Sequence, residues 1–424
     1  MSEQEPANPL PPLKAGVEAI QFEHEGKPMV LLRDQEGLAD DAIGVTLPGF
    51  LIAMMLSGKN TVSDVQTAFA KTTGALVSPE EIQGLVKELN RAELLETPEV
   101  AAKRLKIHDD FMKNPVRRAM HEGGGYPASP MDLAVYLGGF FRDSKGPGKE
   151  VPSQPLGASP QALVAPHIDL ARGGPAYAWA YQALGELSPP DLIVAFGVAH
   201  ASPPSPWVAT KKSYATPYGP LAVDEGLYKD FQSALWYEAA SDEWVHRTEH
   251  SLEFQSLWLK YLWREKTPAW LPVLCSSFEQ WCPDRAPSTV KTVDEALKRF
   301  GAILRERQKA GQRILILAGV DLAHVGPRFG DEIELTPEVG KKIEDEDRKS
   351  LEKALAGDAD GFYLSVIQDD HWRKVCGLSA LYTTLRLLKE ISPTASGKLL
   401  TYGQAPDPMG GIVSFTSAIY PRVL

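Results

Sequence analysis

The chain contains 424 residues, of which 43% are hydrophobic and 23% charged, so it is long enough to form two or three domains with separate cores. Its 44 basic and 55 acidic side chains give a net charge of −11, which disfavours binding to nucleic acid or to an anionic membrane surface.

The chain starts with an acidic, proline-rich stretch, MSEQEPANPLPP, that lacks the apolar centre of a secretion signal. Uninterrupted apolar runs elsewhere resemble LIVAFGVA in length, which is too short to cross a membrane. The three cysteines match neither a disulfide framework nor a zinc-binding CxxC pair, which indicates a reducing compartment. We therefore expect a cytoplasmic protein.

Residues 44–97 predict three short helices after a strand-like stretch, EAIQFEHEGKPMVLLRD. In the last helix Ser78 and Glu81 form a capping box. The pattern indicates a winged helix-turn-helix module, and the four basic against six acidic side chains, a net charge of −2, favour a peptide ligand over DNA. LSGKNTVSDV and ELNRAELLE resemble PqqD-like peptide-recognition modules, so residues 1–100 are assigned to one; a small helical domain that only packs against its neighbour is the alternative.

Residues 101–118 are expected to form a connecting helix, and residues 119–424 to form an α/β domain. In this part of the chain short apolar runs rich in β-branched residues alternate with helical stretches, which predicts a central sheet flanked by helices. The runs are ALVAP at 162–166, DLIVAFGVAH at 191–200 and RILILAGVDL at 313–322.

Each of these three strands runs into polar residues that could support chemistry. His167 follows the first, His200 the second, and Asp321 and His324 the third. Because ligand sites of open α/β sheets lie at the carboxyl ends of the strands, we expect these side chains to meet at one edge. The alternative is that they are unrelated loop residues.

The stretch HRTEHSLEFQSLWLKYLW is typical of an amphipathic helix, on which Glu249 and Glu253 lie one turn apart with His250 nearby. This face is expected to form the wall of a polar pocket, or otherwise a solvated charged surface. Cys376 begins a further predicted helix, where the helix N-terminus favours the thiolate form. A lone cysteine of this kind is otherwise inert core.

Five short motifs occur in the order and spacing of the MEMO family. The resemblance covers about residues 119–424, from AMHEGGGYPASP to IVSFTSAIY, and is closest to protein B of the AmmeMemoRadiSam system. The five motifs are PH at 166–167, GVAH at 197–200, EHSLEFQ at 249–255, GVDLAH at 319–324 and CG at 376–377.

The resemblance implies a fold similar to class III extradiol dioxygenases and a metal site formed by two histidines and a cysteine. Carried over to this chain, these ligands are His167, His200 and Cys376. Two imidazoles and a thiolate leave coordination positions open and suit Fe(II), Cu(I) or Zn(II). Iron is the first choice by resemblance, followed by copper because of the thiolate.

The other motif residues are assigned supporting roles. Asp321 is expected to fix the tautomer of a histidine, and His324 and His250 to act as acid–base or substrate-orienting groups. Glu249 and Glu253 are expected to contact the metal ligands without binding the metal themselves.

The chain departs from the family where Ile168, Asp169 and Leu170 follow the first histidine in place of Ala-Gly-Tyr. Asp169 lies two residues from a predicted ligand, where alternate strand positions face the same side, so it is a candidate additional ligand.

These features predict a non-haem metalloprotein that performs oxygenase or redox chemistry on a peptide-linked or small aromatic substrate. Two alternatives stay open. One is a non-catalytic metal-holding partner of the radical SAM enzyme and of the third protein that the system's name implies. The other is a zinc hydrolase, for which two histidines, a cysteine and a nearby glutamate would serve.

Overall fold

The computed structural model describes residues 8–39, 42–152, 156–368, 370–407 and 410–422. The chain divides into two compact units, residues 1–113 and 114–424. In the parts that the model describes, no helix is both long enough and apolar enough to span a lipid bilayer.

The first unit combines a small antiparallel sheet with helices. The sheet has the order β1-β2-β3, and β1 and β2 form a hairpin through Glu25 and Gly26, both in the left-handed region. The capping box predicted at Ser78 and Glu81 is present at the start of α3. The elements are β1 (Val17–His24), β2 (Lys27–Asp34), β3 (Ile43–Thr46), α1 (Leu47–Met54), α2 (Val62–Thr73), α3 (Pro79–Arg91) and α4 (Pro98–Lys113).

Helix α4 replaces the connecting helix expected over residues 101–118. It begins at Pro98 and ends at Lys113, within the first unit. The helix cannot continue because Pro115 disfavours helical backbone at the residue before it. Residues 116–117 instead pair with a strand further along the chain.

The second unit is a mixed α/β structure, which confirms the predicted central sheet flanked by helices. Its strands are β4 (Val116–Arg117), β5 (Ala162–Ala165), β6 (Leu192–Val198), β7 (Trp207–Ala209), β8 (Ser213–Tyr214), β9 (Trp270–Cys275), β10 (Ile314–Gly319), β11 (Asp321–Val325), β12 (Lys398–Asp407) and β13 (Gly411–Tyr420). Its helices are α5 (Pro130–Arg142), α6 (Leu170–Gly185), α7 (Glu225–Ala234), α8 (Glu253–Trp263), α9 (Lys291–Lys309), α10 (Pro337–Leu355), α11 (Ala359–Ile367) and α12 (Leu378–Ile391).

The main sheet has the order β11-β13-β5-β10-β6-β9-β7, with β12 paired to β13. Strands β5, β10, β6 and β9 are parallel, whereas β7, β11, β12 and β13 join in antiparallel pairings. The parallel strands are buried on both faces, because successive residues such as Ile193 and Val194 contribute to separate hydrophobic clusters on opposite sides. Their carboxyl ends therefore share one edge of the sheet.

Two local predictions need correction. The strand expected over 313–322 ends at Gly319, and Asp321 and His324 lie in β11, a separate strand paired with β13. The helix expected from residue 246 begins only at Glu253. The Ser251 hydroxyl is bound to the backbone of Val198 at the end of β6, and the Ser251 backbone N–H donates to the Glu249 carboxylate at 3.0 Å.

Candidate metal centre

Three histidines meet at the carboxyl edge of the parallel strands. His167 follows β5, His200 follows β6, and His250 comes from the segment before α8. One ring nitrogen of each lies within 4.8 Å of those of the other two, which is close enough for one metal ion. His167 is buried, whereas the side chains of His200 and His250 are 40% and 33% exposed, so a ligand can reach the cluster from solvent.

Hydrogen bonds orient the first two rings. Nδ1 of His167 lies 3.1 Å from the carbonyl oxygen of Gly319, and Nδ1 of His200 lies 3.0 Å from the Glu249 carboxylate. Both partners only accept, so in the neutral form of each ring Nδ1 carries the proton and Nε2 keeps the lone pair that a metal ion needs. This arrangement is typical of metal-binding histidines, whose second nitrogen is held by an oxygen acceptor.

The Glu249 carboxylate lies beside two rings of the histidine cluster, those of His200 and His250. Its carboxylate is buried and accepts from the backbone N–H groups of His200 and Ser251, both at 3.0 Å, while Nδ1 of His250 lies 3.3 Å away. Burial alone would raise the pKa of Glu249, but His200, His250 and the Ser251 N–H hold it well below its ordinary value. Burial also lowers the pKa of His250 to about 3, which keeps this imidazole neutral.

Cys376 lies beside the histidines. Its Sγ is 3.4 Å from Nε2 of His167. Burial would raise the pKa of the thiol, but His167 and His324 outweigh it and lower the pKa well below the ordinary value. Burial opposes the charge on His167 too, yet Asp321 and Cys376 raise its pKa to about 9. The thiol and the imidazole therefore each favour the charged form of the other.

The glycine of the CG motif permits this approach. A Cβ added at Gly377 would lie 2.4 Å from the carbonyl oxygen of Asp321 and 2.6 Å from Cβ of Val320. Such distances are too short for any larger residue without displacement of the backbone. Gly377 thus allows the start of α12 to pack against the junction of β10 and β11.

Asp321 and His324 lie at the same edge through β11. Asp321 accepts from the backbone N–H of His167 at 2.9 Å, and its other oxygen lies 3.7 Å from Nε2 of that ring. The tautomer of His167 is thus set by Gly319, not by Asp321 as expected. Burial lowers the pKa of His324, but Cys376 reverses this effect and raises it.

Glu253 lies in a different environment from Glu249. Its buried carboxylate pairs with the guanidinium of Arg117 and accepts from the hydroxyl of Tyr126 at 2.6 Å. It also accepts from the backbone N–H groups of Met120 and His121, at 3.1 and 2.9 Å. Glu253 therefore anchors the chain around residue 120, and it has no contact here with the three histidines of the cluster.

Asp169 has a structural role. It is the N-cap of α6 and accepts from the backbone N–H of Arg172 at 3.0 Å, while Nε of that arginine lies 2.6 Å from its other oxygen. The strand before it ends at Ala165, so the alternation of strand positions used to place Asp169 beside His167 does not apply. Its carboxylate is thus committed to the helix start.

One histidine beside the cluster was not singled out from the sequence. The ring of His121 lies 5.8 Å from that of His250 and 5.7 Å from that of Phe254, between ring centroids. Its Nε2 donates to the carbonyl oxygen of Thr248 at 3.0 Å. The AMHEGGGYPASP motif contained this residue, but nothing in its spacing indicated that it faces His250.

Comparisons with known proteins identify the family. The family model of Memo-like proteins matches residues 117–418. The chain belongs to this family. It is 26% identical to a MEMO1 family protein of Aquifex aeolicus over 392 residues, which cover 92% of this chain and 95% of the relative. It is 30% identical to one of Thermus thermophilus over 344 residues, covering 81% and 93%.

The two comparisons differ in what they say about the first unit. The Memo-like family model begins near the start of the second unit, at residue 117. The match to the Aquifex aeolicus protein is longer than residues 114–424 and therefore includes most of residues 1–113. This Memo-like protein thus shares its N-terminal unit with at least one relative.

Proposed function

We propose that the second unit binds one redox-active metal ion and carries out oxygen-dependent chemistry on an organic substrate. The observation that carries this proposal is the meeting of His167, His200 and His250 within 4.8 Å, with Cys376 Sγ beside them at 3.4 Å from His167 Nε2. The ligands would be His167, His200 and Cys376, and His250 is a fourth donor within reach. Residues from four separate segments of the chain converge on this point.

The donor set decides which metals fit. Imidazole suits Fe(II), Cu(I) and Zn(II), and a thiolate favours the softer ions over Mg²⁺ or Ca²⁺. Fe(II) is our first choice and Cu(I) the second. A bound iron or copper ion would supply the one-electron chemistry that activates oxygen. The resemblance to class III extradiol dioxygenases supports the same choice by analogy of fold.

The chain's own residues have separate tasks in this proposal. Gly319 and Glu249 orient the ligand imidazoles, so the site is organised before the metal binds. The exposed faces of His200 and His250 leave room for a substrate. His324, whose pKa is raised beside the Cys376 thiolate after burial has opposed it, can hold a proton near the substrate.

Metal analysis and oxygen uptake test the proposal together. The protein is purified without oxygen, its metals are measured, and oxygen consumption is followed with aromatic and peptide substrates. Bound iron or copper with substrate-dependent uptake and an oxidised product supports it. Stoichiometric zinc with hydrolysis indicates the hydrolase. Bound metal with no organic product indicates a metal-holding partner of a radical SAM enzyme. Either of these last two outcomes overturns the oxygenase proposal.

We also infer that the first unit takes a peptide, which fits its resemblance to PqqD-like modules. A cavity of about 730 Å³ lies between β3, α1 and α3, lined by side chains that include Ile43, Ile52, Leu76 and Leu85. Among the described residues β3 pairs only with β2, so its other edge is free to add an extended strand. The acidic groups at the cavity are already partnered, because Glu88 pairs with Arg91 at 2.6 Å and Glu81 accepts from the Ser78 N–H at 2.8 Å, so the apolar lining favours an apolar peptide.

Leu76 offers a direct test of the peptide site. It lines the cavity and is 93% exposed, so Leu76→Glu removes apolar contact and places a hydrated charge against the peptide's apolar side chains without a loss of core packing. Binding of a synthetic ten-residue library with alternating apolar and serine positions is measured by fluorescence. We expect at least tenfold weaker binding, about 1.4 kcal/mol. Leu105→Glu, at an exposed position of α4 outside this cavity, is the control. Equal loss in both variants contradicts the site.

A further inference from the structure

The loop before Cys376 has an unusual backbone. Three residues close to the cysteine, Asp370, His371 and Lys374, have φ values of 55°, 53° and 45°, in the left-handed region that favours glycine. This region is sterically unfavourable for residues with a Cβ, although Asp and His adopt it more often than most. Such a conformation persists only where surrounding contacts hold it, so the thiol depends on whatever anchors this loop.

Arg373 is that anchor. Its side chain is fully buried, and its guanidinium donates to Oδ1 of Asp347 at 2.8 Å, to Oγ of Ser350 at 3.1 Å and to the carbonyl oxygen of Ser365 at 3.2 Å. Its own carbonyl oxygen accepts from the backbone N–H of His324 at 2.7 Å. Arg373 thus ties the loop to α10, to α11 and to the strand of a site residue.

Asp347 links the anchor to the other side of the site. Its Oδ2 accepts from the hydroxyl of Ser414 at 2.5 Å and from the hydroxyl of Tyr402 at 3.0 Å. The Ser414 oxygen in turn accepts from the backbone N–H of Ala323 at 2.8 Å. One carboxylate therefore connects the Cys376 loop with β11, at a residue between Asp321 and His324.

We propose that Asp347 and Arg373 are positioning residues that set the thiol of Cys376 relative to the histidines. A buried ion pair elsewhere would stabilise the fold without reference to the site. This pair differs because both ends of its hydrogen-bond chain lie close to site residues. Arg373 is three positions before Cys376, and Ala323, which the chain reaches through Ser414, is one position before His324. The metal part of this inference rests on the proposed function above.

The test is Asp347→Asn in the full-length protein, because it removes the charge and keeps the size. The variant removes the buried carboxylate 2.8 Å from the guanidinium of Arg373 and leaves the more distant, partly exposed Glu346 carboxylate at 3.6 Å, so the loop is expected to relax and carry Cys376 away from His167. Titration with Co(II) is expected to show at least tenfold weaker binding, in the range found for groups that orient metal ligands. The thiolate-to-cobalt absorption band should weaken in the same variant.

A second readout needs no metal. Iodoacetamide labelling followed by mass spectrometry gives the alkylation rate of Cys376, with the buried Cys275 and Cys282 as internal references. We expect a change of about tenfold in the rate at Cys376 in Asp347→Asn, because thiol reactivity depends on the local environment. The references should stay unreactive, which shows that the variant is folded.

Asp294→Asn is the matched control. It breaks another largely buried ion pair, between Asp294 and Arg386 at 2.8 Å. Arg386 lies in α12, the helix that follows Cys376, but far from the start of that helix. This variant should lose stability but keep the wild-type cobalt spectrum and alkylation rate. If Asp347→Asn folds and matches the control in both readouts, the pair only stabilises the fold and the inference is wrong.

Two further outcomes are informative. If Asp347→Asn does not fold, Ser414→Ala is used instead, because it removes only the hydrogen-bonded link from Asp347 to the Ala323 N–H. The Co(II) affinity and the alkylation rate of Cys376 should then shift by a smaller amount. An unshifted Ser414→Ala variant would then contradict the inference. If the wild-type protein binds no Co(II), the metal proposal fails, and the alkylation rate alone decides the positioning role.

Discussion

Two carboxylates four positions apart, Glu249 and Glu253, should respond to the same substitution in opposite ways. Both are buried and both belong to the EHSLEFQ motif, but Glu249 faces His200 whereas Glu253 faces Arg117. We expect Glu253→Gln to destabilise the protein without weakening metal binding. Glu249→Gln should weaken metal binding at a smaller cost in stability.

The size of the Glu253 effect follows from its contacts. Glutamine has one acceptor oxygen and an amide N–H₂ group, whereas the Glu253 carboxylate serves Arg117, a hydroxyl and two backbone N–H groups. The amide must therefore face at least one donor, and the Arg117 charge stays buried without a counter-ion. Loss of one partner of a buried ion pair lowers the free energy of unfolding by about 3–5 kcal/mol. That is a factor of roughly 10² to 10³ or more in the unfolding equilibrium.

Urea unfolding of the metal-free protein measures the stability, because bound metal would add its own stabilisation. Co(II) titration under native conditions measures the affinity of the folded fraction. For Glu249→Gln we expect a loss of 10- to 100-fold in affinity, because the variant removes the negative charge beside Nδ1 of His200 and leaves one acceptor oxygen for the three donors that the carboxylate serves. If Glu253→Gln loses as much affinity as Glu249→Gln while its unfolding midpoint is unchanged, the division of roles argued here is refuted.

Four other outcomes follow from the structure. Alanine at His167 or Cys376 should lower metal occupancy at least tenfold by elemental analysis, and full occupancy in both would remove them as ligands. Residues 114–424 made alone should keep the metal, and a folded but metal-free fragment would contradict this. Burial would raise the pKa of Asp34, but a lysine and two backbone N–H groups lower it. The ionised Asp34 therefore stabilises the fold above the unfolded-state pKa of about 3.9, and this stabilisation is lost as the pH falls. The urea midpoints of Asp34→Asn and the wild type should differ at pH 7 and converge toward pH 3. Asp169→Ala should cost about 0.5–2 kcal/mol as a lost N-cap and leave the spectrum of bound Co(II) unchanged, whereas a changed spectrum would return it to the site.

The strands that build the site were predictable because their signals are local. ALVA, LIVAFGV and ILILAG are short, apolar and buried on both faces, and each is a parallel strand in the structure. Parallel strands share a direction, so the residues after them must reach one edge. That argument predicts that His167 and His200 meet, and their ring centroids lie 5.1 Å apart.

The surroundings of the site were not predictable in the same way. Helical periodicity placed Glu249 and Glu253 on one face, but the first lies before the helix and turns toward His200. The Ser251 backbone N–H donates to the Glu249 carboxylate instead of to a helical carbonyl, and the Ser251 hydroxyl binds the end of β6. The partner of Glu253 is Arg117, 136 positions earlier in the chain, and no pattern of spacing reports such a pair.

The position of Cys376 in the CG motif depends on both local sequence and contacts distant in the chain. On sequence alone, Cys376 before a helix could be explained by the electrostatics of a helix N-terminus, and the glycine after it had no assigned purpose. In the structure Gly377 is needed because its missing Cβ lets α12 approach the carbonyl oxygen of Asp321. That backbone approach, and not the helix terminus alone, brings the sulfur within 3.4 Å of His167. The cysteine is therefore positioned from two directions, by Gly377 on its C-terminal side and by the Arg373 anchor on its N-terminal side.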